Sequence, residues 1–188
     1  KDFNKKRLIG ENDDILCELI RKDSIEEFII YVNKNDYSLK SLINQSIFET
    51  NSNLCGDDKI SLIEYAAFFG SIQIFKYLYK NEVELNSNLW IFAIHGECEE
   101  IIHILEELNI HPPNYSNDIC IKESIKCHHN NMVEYFLNNS ENDEKDIFNV
   151  ERNYDNNIIS YCFHYYNFAY LPDDLDEKYM FYYACEYD

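Results

Sequence analysis

Several groups of residues in this chain have the makings of a chemical site. His95, Cys98 and His103 stand close together in IHGECEEIIH, and imidazole nitrogen with thiolate sulfur is a donor set that suits zinc. Cys127, His128 and His129 place a thiol beside imidazoles, which makes an activated thiolate where the sulfur is acidified and the histidine is oriented. Glu99/Glu100, Glu106/Glu107, Asp57/Asp58 and Asp173/Asp174 are paired carboxylates, the groups that share acid–base work. Tyr65, Phe68, Phe69 and Trp90, with Tyr161, Tyr165 and Tyr166, are rigid aromatic side chains of the kind that anchor a binding surface.

For the first three groups the spacing favours structure over chemistry. No second Cys/His pair stands at zinc-finger spacing, and helical periodicity turns His103 away from Ile101 and Leu105, toward solvent. Neighbouring residues on a turn seldom face one another, and Cys127 falls where a turn is expected. The carboxylates mark helix starts and solvated faces. There is no glycine-rich phosphate loop, no G-x-S-x-G elbow and no D-x-[DN]-x-[DN]-G calcium loop. The reading is therefore of no catalytic residue, no cofactor and no metal ligand.

The elements that must position the remaining candidates are helices. Only four glycines and three prolines in 188 residues leave few of the special backbone angles that sandwiches and barrels need at their turns. Asparagine-rich clusters such as NSNL, NNSEND and NYDNN separate the apolar segments and read as loops. In SLIEYAAFFGSIQIFKYLYKNEVEL, Ile63, Ala66, Ala67 and Gly70 fit a short helix ending at the glycine. Ile72, Phe75, Leu78 and Tyr79 fit a second helix that stops at Asn81. Together they make a helical hairpin, and the alanines are small enough to let a neighbour approach closely.

The pattern returns in LWIFAIHGECEEIIHILEELNI. Ala93 and Gly96 align under Ala67 and Gly70, and after a one-residue insertion Ile101, Ile102 and Leu105 align under Ile74, Phe75 and Leu78. IKESIKCHHNNMVEYFLNN is a further copy, with Ser124 at the small position and Cys127 at the glycine position. DILCELIRKDSIEEFIIYV has the same shape upstream, with Asp23 and Ser24 at its reversal, and SLKSLINQSIFETN follows it as an extra amphipathic piece. NNIISYCFHYYNFAYL is an aromatic copy stopped by Pro172, and DDLDEKYMFYYACEY forms a last helix.

The order small hydroxyl, apolar, apolar, x, x, Ala-Ala-x-x-Gly, then Ile-x-x-x-Leu in SLIEYAAFFGSIQIFKYL resembles the ankyrin repeat. With DSIEEFIIYV and FETN it is similar to the divergent ankyrin-type proteins expanded in protists such as trichomonads. Leu62 stands where the motif has proline and Glu64 where it has histidine, and the period of about 26 to 31 residues is shorter than the family's. The resemblance implies an all-α solenoid of stacked antiparallel helical hairpins with reduced fingers, roughly five units in one domain over 1–188. The units are 13–56 (irregular), 57–85, 86–113, 114–143 and 144–188 (aromatic-rich).

It also implies a non-catalytic scaffold that binds a partner protein through its concave face. Tyr65, Phe69 and Trp90 are expected as exposed contributors, with Ile91, His95, Lys122 and Lys126 in equivalent places. The net charge of −19 opposes nucleic acid and suits a partner with a basic face. No apolar run is long enough to cross a membrane. The seven cysteines lack C-x-x-C pairing, so reduced thiols and an intracellular, cytoplasmic setting are expected. Two other classes stay open: a homotypic assembler using the aromatic region from Ile158 to Tyr187, and an enzyme with an unrecognised His/Cys/carboxylate site.

Overall fold

The computed structural model describes residues 2–55, 59–139, 158–173 and 175–187. The Asp57/Asp58 pair, Asp174, the unit boundaries at 56/57 and 143/144 and the NYDNN cluster lie outside the described residues. Among the described residues the protein is all-α, with eleven α-helices, two short 3-10 turns and no β-strand. The chain divides into two compact units, Lys1–His111 and Pro112–Asp188.

The first unit contains α1 (Asp2–Ile9), α2 (Ile15–Arg21), α3 (Ile25–Lys34), α4 (Leu62–Phe68), α5 (Ile72–Lys80), α6 (Leu89–His95) and α7 (Glu99–Glu107). Pairs α2/α3, α4/α5 and α6/α7 are hairpins; α4 packs on both α2 and α6, and α5 packs on both α3 and α7. The second unit contains α8 (Asn117–Lys126), α9 (Asn130–Asn138), α10 (Ile158–His164) and α11 (Glu177–Tyr187), with 3-10 turns at Pro113–Tyr115 and Phe168–Tyr170. There α8 packs on α9 and α10, and α10 packs on α11.

One device closes each hairpin. After the first helix a residue takes the left-handed conformation, at Asp23, Gly70, Glu97, His128 and Tyr166. The N–H of the next residue then reaches back into the last turn. Ser24 donates to Leu19, Ser71 to Ala66, Cys98 to Ala93, His129 to Ser124 and Asn167 to Cys162, at 2.8–3.3 Å. This is the Schellman arrangement, which satisfies carbonyls that the helix end would otherwise leave unpaired.

The reversals are also stitched to the preceding hairpin. Ser71 Oγ donates to the Ile20 carbonyl (2.6 Å), and Asn167 Nδ2 donates to the Ile125 carbonyl (3.1 Å) at the equivalent place in the second unit. The Asp23 carboxylate accepts the N–H groups of Gln73 and Ile74 (both 3.0 Å), capping the start of α5.

Two sequence expectations change here. The hairpins α4/α5 and α6/α7 run in step without an insertion: Leu89 follows Leu62, Ala93 follows Ala66 and Leu105 follows Leu78, each 27 residues on. Gly96 therefore stands under Phe69, and Glu97 carries the left-handed backbone that Gly70 carries in α4/α5. Gly96 itself has φ −75°, so it is not there for conformational freedom. A Cβ on it would lie 2.3 Å from the Ala67 carbonyl oxygen, so close backbone approach excludes a side chain.

The segment SLKSLINQSIFETN is not helical. Phe48 N–H bonds Ser46 Oγ (3.1 Å), Asn51 N–H bonds Glu49 Oε1 (3.0 Å) and Asn53 N–H bonds Asn51 Oδ1 (2.9 Å). Short polar side chains thus supply local turn bonds that compete with a helix. An isolated antiparallel bridge between Leu42 and Ser61 ties the segment to the start of α4, and buried Phe48 packs against Phe3.

Glu64 builds a capping box with Ser61. Ser61 N–H donates to Glu64 Oε2 (2.8 Å), Glu64 N–H donates to Ser61 Oγ (3.4 Å), and Asn86 Nδ2 donates to Glu64 Oε1 (3.0 Å). These bonds stiffen the first turn of α4.

Candidate functional site

The first helices of the first unit bring aromatic rings together. Tyr65 packs on Phe69 with centroids 4.7 Å apart, Phe69 on Phe68 at 5.1 Å, and Phe68 on Phe92 at 6.4 Å. Phe68 also stacks on the imidazole of His95 at 4.8 Å, and the Arg21 guanidinium lies 5.9 Å from the Phe69 ring. Phe69, Phe92 and His95 are half-buried, forming a shelf with apolar faces still open to water. Asn53 Nδ2 donates to His95 Nε2 (2.8 Å), so the 43–55 segment reaches the edge of the shelf.

Tyr65 and Trp90 are not the exposed contributors the sequence suggests. Tyr65 is 1% exposed, and residues 43–55 and Lys59/Ile60 wall it in. It forms the wall of a cavity of about 90 Å³ together with Asn12, Ile43, Glu49, Leu54 and Ile60. Its hydroxyl accepts a hydrogen bond from Arg21 Nη1 (2.7 Å), and Arg21 Nε pairs with Glu11 Oε2 (2.9 Å). Trp90 is 4% exposed; it sits in step with buried Ile63, and its indole N–H donates to the Ile110 carbonyl (2.8 Å).

The other named residues fall as follows. Ile91 is half-buried on α6. In the second unit, Lys122 Nζ lies 5.4 Å from the Tyr161 ring, and Lys126 pairs with Glu123 at 2.9 Å. Burial opposes the Lys126 charge, but the hydrogen bond and charge of Glu123 outweigh it and raise the ammonium pKa. Phe92, Arg21 and Asn53 are site residues that sequence reasoning missed. The constant 27-residue step would have found Phe92, since it lies under Tyr65.

The candidates for chemistry are held in other ways. Burial pushes the Cys127 thiol up to about 12, the reverse of what an activated thiolate needs. His128 occupies the left-handed turn position and donates from Nε2 to the Tyr165 carbonyl (2.8 Å). His103 is exposed and pairs with Glu106 at 3.1 Å, whereas His95 is held by Asn53 and Phe68. Burial also raises the Tyr65 hydroxyl pKa and pushes the Cys17 thiol up to about 12, so both stay protonated at neutral pH.

Comparison of the chain with protein-family models, with curated proteins and with solved structures finds no match. Among the described residues, no helix is long and apolar enough to cross a membrane.

Proposed function

We propose that this chain is a non-catalytic protein-interaction scaffold, an ankyrin-like solenoid of helical hairpins that binds a partner protein through the face of its first helices. The observation that carries the reading is the shelf of Phe68, Phe69, Phe92 and His95, contributed jointly by α4 and α6. Aromatic faces on rigid elements supply apolar area at little entropic cost, because their rotamers are already restricted by mutual packing.

The recurring left-handed reversals and the side-chain stitches between hairpins support the solenoid part. In this reading Glu64 and Asn86 replace the motif's histidine as the link between repeats. A net charge of −19 favours a partner with a basic face and speeds its encounter. Thiols held protonated by burial act as small hydrophobes in the layers rather than as nucleophiles.

The test is site-specific photo-crosslinking in a lysate of the source cell. A photoreactive phenylalanine at position 69 or 92 should capture one discrete protein, the same group at exposed Lys80 should not, and Phe92→Ala should reduce capture from position 69. Capture that is equal at all three positions, or absent at 69 and 92, removes the first-helix face from consideration. Circular dichroism checks that each variant is folded.

A further inference from the structure

The first helix, α1, has one side packed and the other bare. Phe3, Lys6 and Gly10 recur at i, i+3 and i+7 and meet the 43–55 segment. The Phe3 ring lies 5.3 Å from that of Phe48, Lys6 Nζ lies 5.8 Å from the same ring, and the Gly10 carbonyl accepts the Thr50 N–H (3.0 Å). Lys5, Leu8 and Ile9 recur at i, i+3 and i+4 and so share the opposite side. There Leu8 is 82% exposed and Ile9 63%, and Ile47, next to Phe48 in the chain, is 85% exposed. Aliphatic side chains this open protrude from the surface.

The charges beside them say what covers them. Lys5, Lys6 and Arg7 are the one run of three basic residues in a chain that has 16 basic residues against 35 acidic. Lys6 is taken by Asp13 (2.9 Å), whereas Lys5 and Arg7 are exposed and form no ion pair with another described residue. The acids that follow α1 in the chain are themselves engaged, Glu11 by Arg21 and Asp13 by Lys6. Protruding aliphatic groups flanked by free cations fit a fluid anionic surface. Its headgroups move to meet the cations, and the aliphatic groups enter the boundary with the acyl chains.

We infer that α1 is an interfacial anchor for an anionic lipid surface, with Leu8 and Ile9 at the acyl boundary and Lys5 and Arg7 against the headgroups. Such a helix lies on a membrane and does not cross it. The net charge of −19 opposes approach at long range, but at ~0.15 M salt screening confines that repulsion to about 8 Å, and α1 acts at contact. This surface is separate from the aromatic shelf of α4 and α6 and does not depend on it.

Co-sedimentation of the full chain with unilamellar vesicles tests this, with reductant present and at ~0.15 M salt. Phosphatidylcholine vesicles with ~30% phosphatidylserine should retain the protein, and pure phosphatidylcholine should retain it at least ~10-fold less. On the mixed vesicles Leu8→Ser should weaken retention ~10-fold through lost apolar burial, and Lys5→Gln with Arg7→Gln ~30-fold through lost charge. These side chains are exposed, so the fold stands without them, and circular dichroism checks it. Lys80→Gln, at an exposed position outside α1, should change retention less than ~2-fold, because screening limits each charge to its own surroundings. Retention that is absent on both vesicles, equal on both, or indifferent to the α1 variants overturns the anchor. Binding to soluble poly-L-glutamate as tight as to the mixed vesicles assigns Lys5 and Arg7 to an acidic polypeptide, and overturns it too.

Discussion

Gly96 and Gly70 touch across two neighbouring hairpins: a Cβ on Gly96 would lie 2.6 Å from the Gly70 nitrogen, and a Cβ on Gly70 would lie 2.7 Å from the Gly96 carbonyl oxygen. The two glycines serve different needs. Gly70 has φ +63° and supplies a left-handed turn, whereas Gly96 has an ordinary φ and supplies room. Gly96→Ala should therefore destabilise the protein by about 1–3 kcal/mol through overpacking alone, read as a lower urea midpoint at an unchanged m-value.

Glu97 carries the left-handed conformation that Gly70 carries one hairpin earlier, with φ +47°. A side chain costs about 1 kcal/mol there, so Glu97→Gly should raise stability by about 0.5–1 kcal/mol in the same measurement. A decrease would mean that the extra chain entropy of glycine in the unfolded state outweighs the strain relieved.

Trp90 is a structural tie. Trp90→Phe keeps most of the ring but orphans the Ile110 carbonyl, and should cost about 1–2 kcal/mol; Trp90→Ala should cost about 3–5 kcal/mol. Phe69→Ala and Phe92→Ala, on the half-buried shelf, should cost less than Trp90→Ala while carrying the loss of partner binding. Thermal melts of the four variants, ranked, check the assignment.

Stability should fall in alkali. Burial raises the thiols of Cys17, Cys120 and Cys162 from 9.0 to about 12 in the folded protein. Below pH 9 both states keep these protons and nothing changes. Between 9 and about 12 the unfolded chain loses protons that the folded one keeps, so each thiol lowers unfolding free energy by up to about 1.4 kcal/mol per pH unit. Urea midpoints should drop steeply over that range, and Cys17→Ala with Cys162→Ala should flatten the fall.

The Ser61/Glu64 capping box fixes the start of α4. Ser61→Ala leaves the N–H of Glu64 without its acceptor and should cost about 1 kcal/mol, with hydrogen exchange accelerating first in α4.

What the sequence by itself determined is local. Apolar residues at three- and four-residue steps placed the helices of the hairpins, because an amphipathic stripe leaves a helix few other ways to bury itself. Asp23/Ser24 and Gly70 marked reversals, since turn chemistry acts over a few residues. The capping box was written in Ser61 and Glu64, because both of its hydrogen bonds close within three residues.

What only the tertiary structure decided is what covers what. Tyr65 and Trp90 sit on first helices at positions that look available, yet the 43–55 segment covers one and the Ile110 carbonyl holds the other. That segment's side chains bond to its own backbone and to distant residues, such as Asn12 to Asn44 and Asn53 to His95, and no periodicity announces such pairings. The role of Gly96 was invisible for the same reason. Its constraint is a carbonyl from another hairpin, and a sequence records that only after the fold has brought the two backbones together.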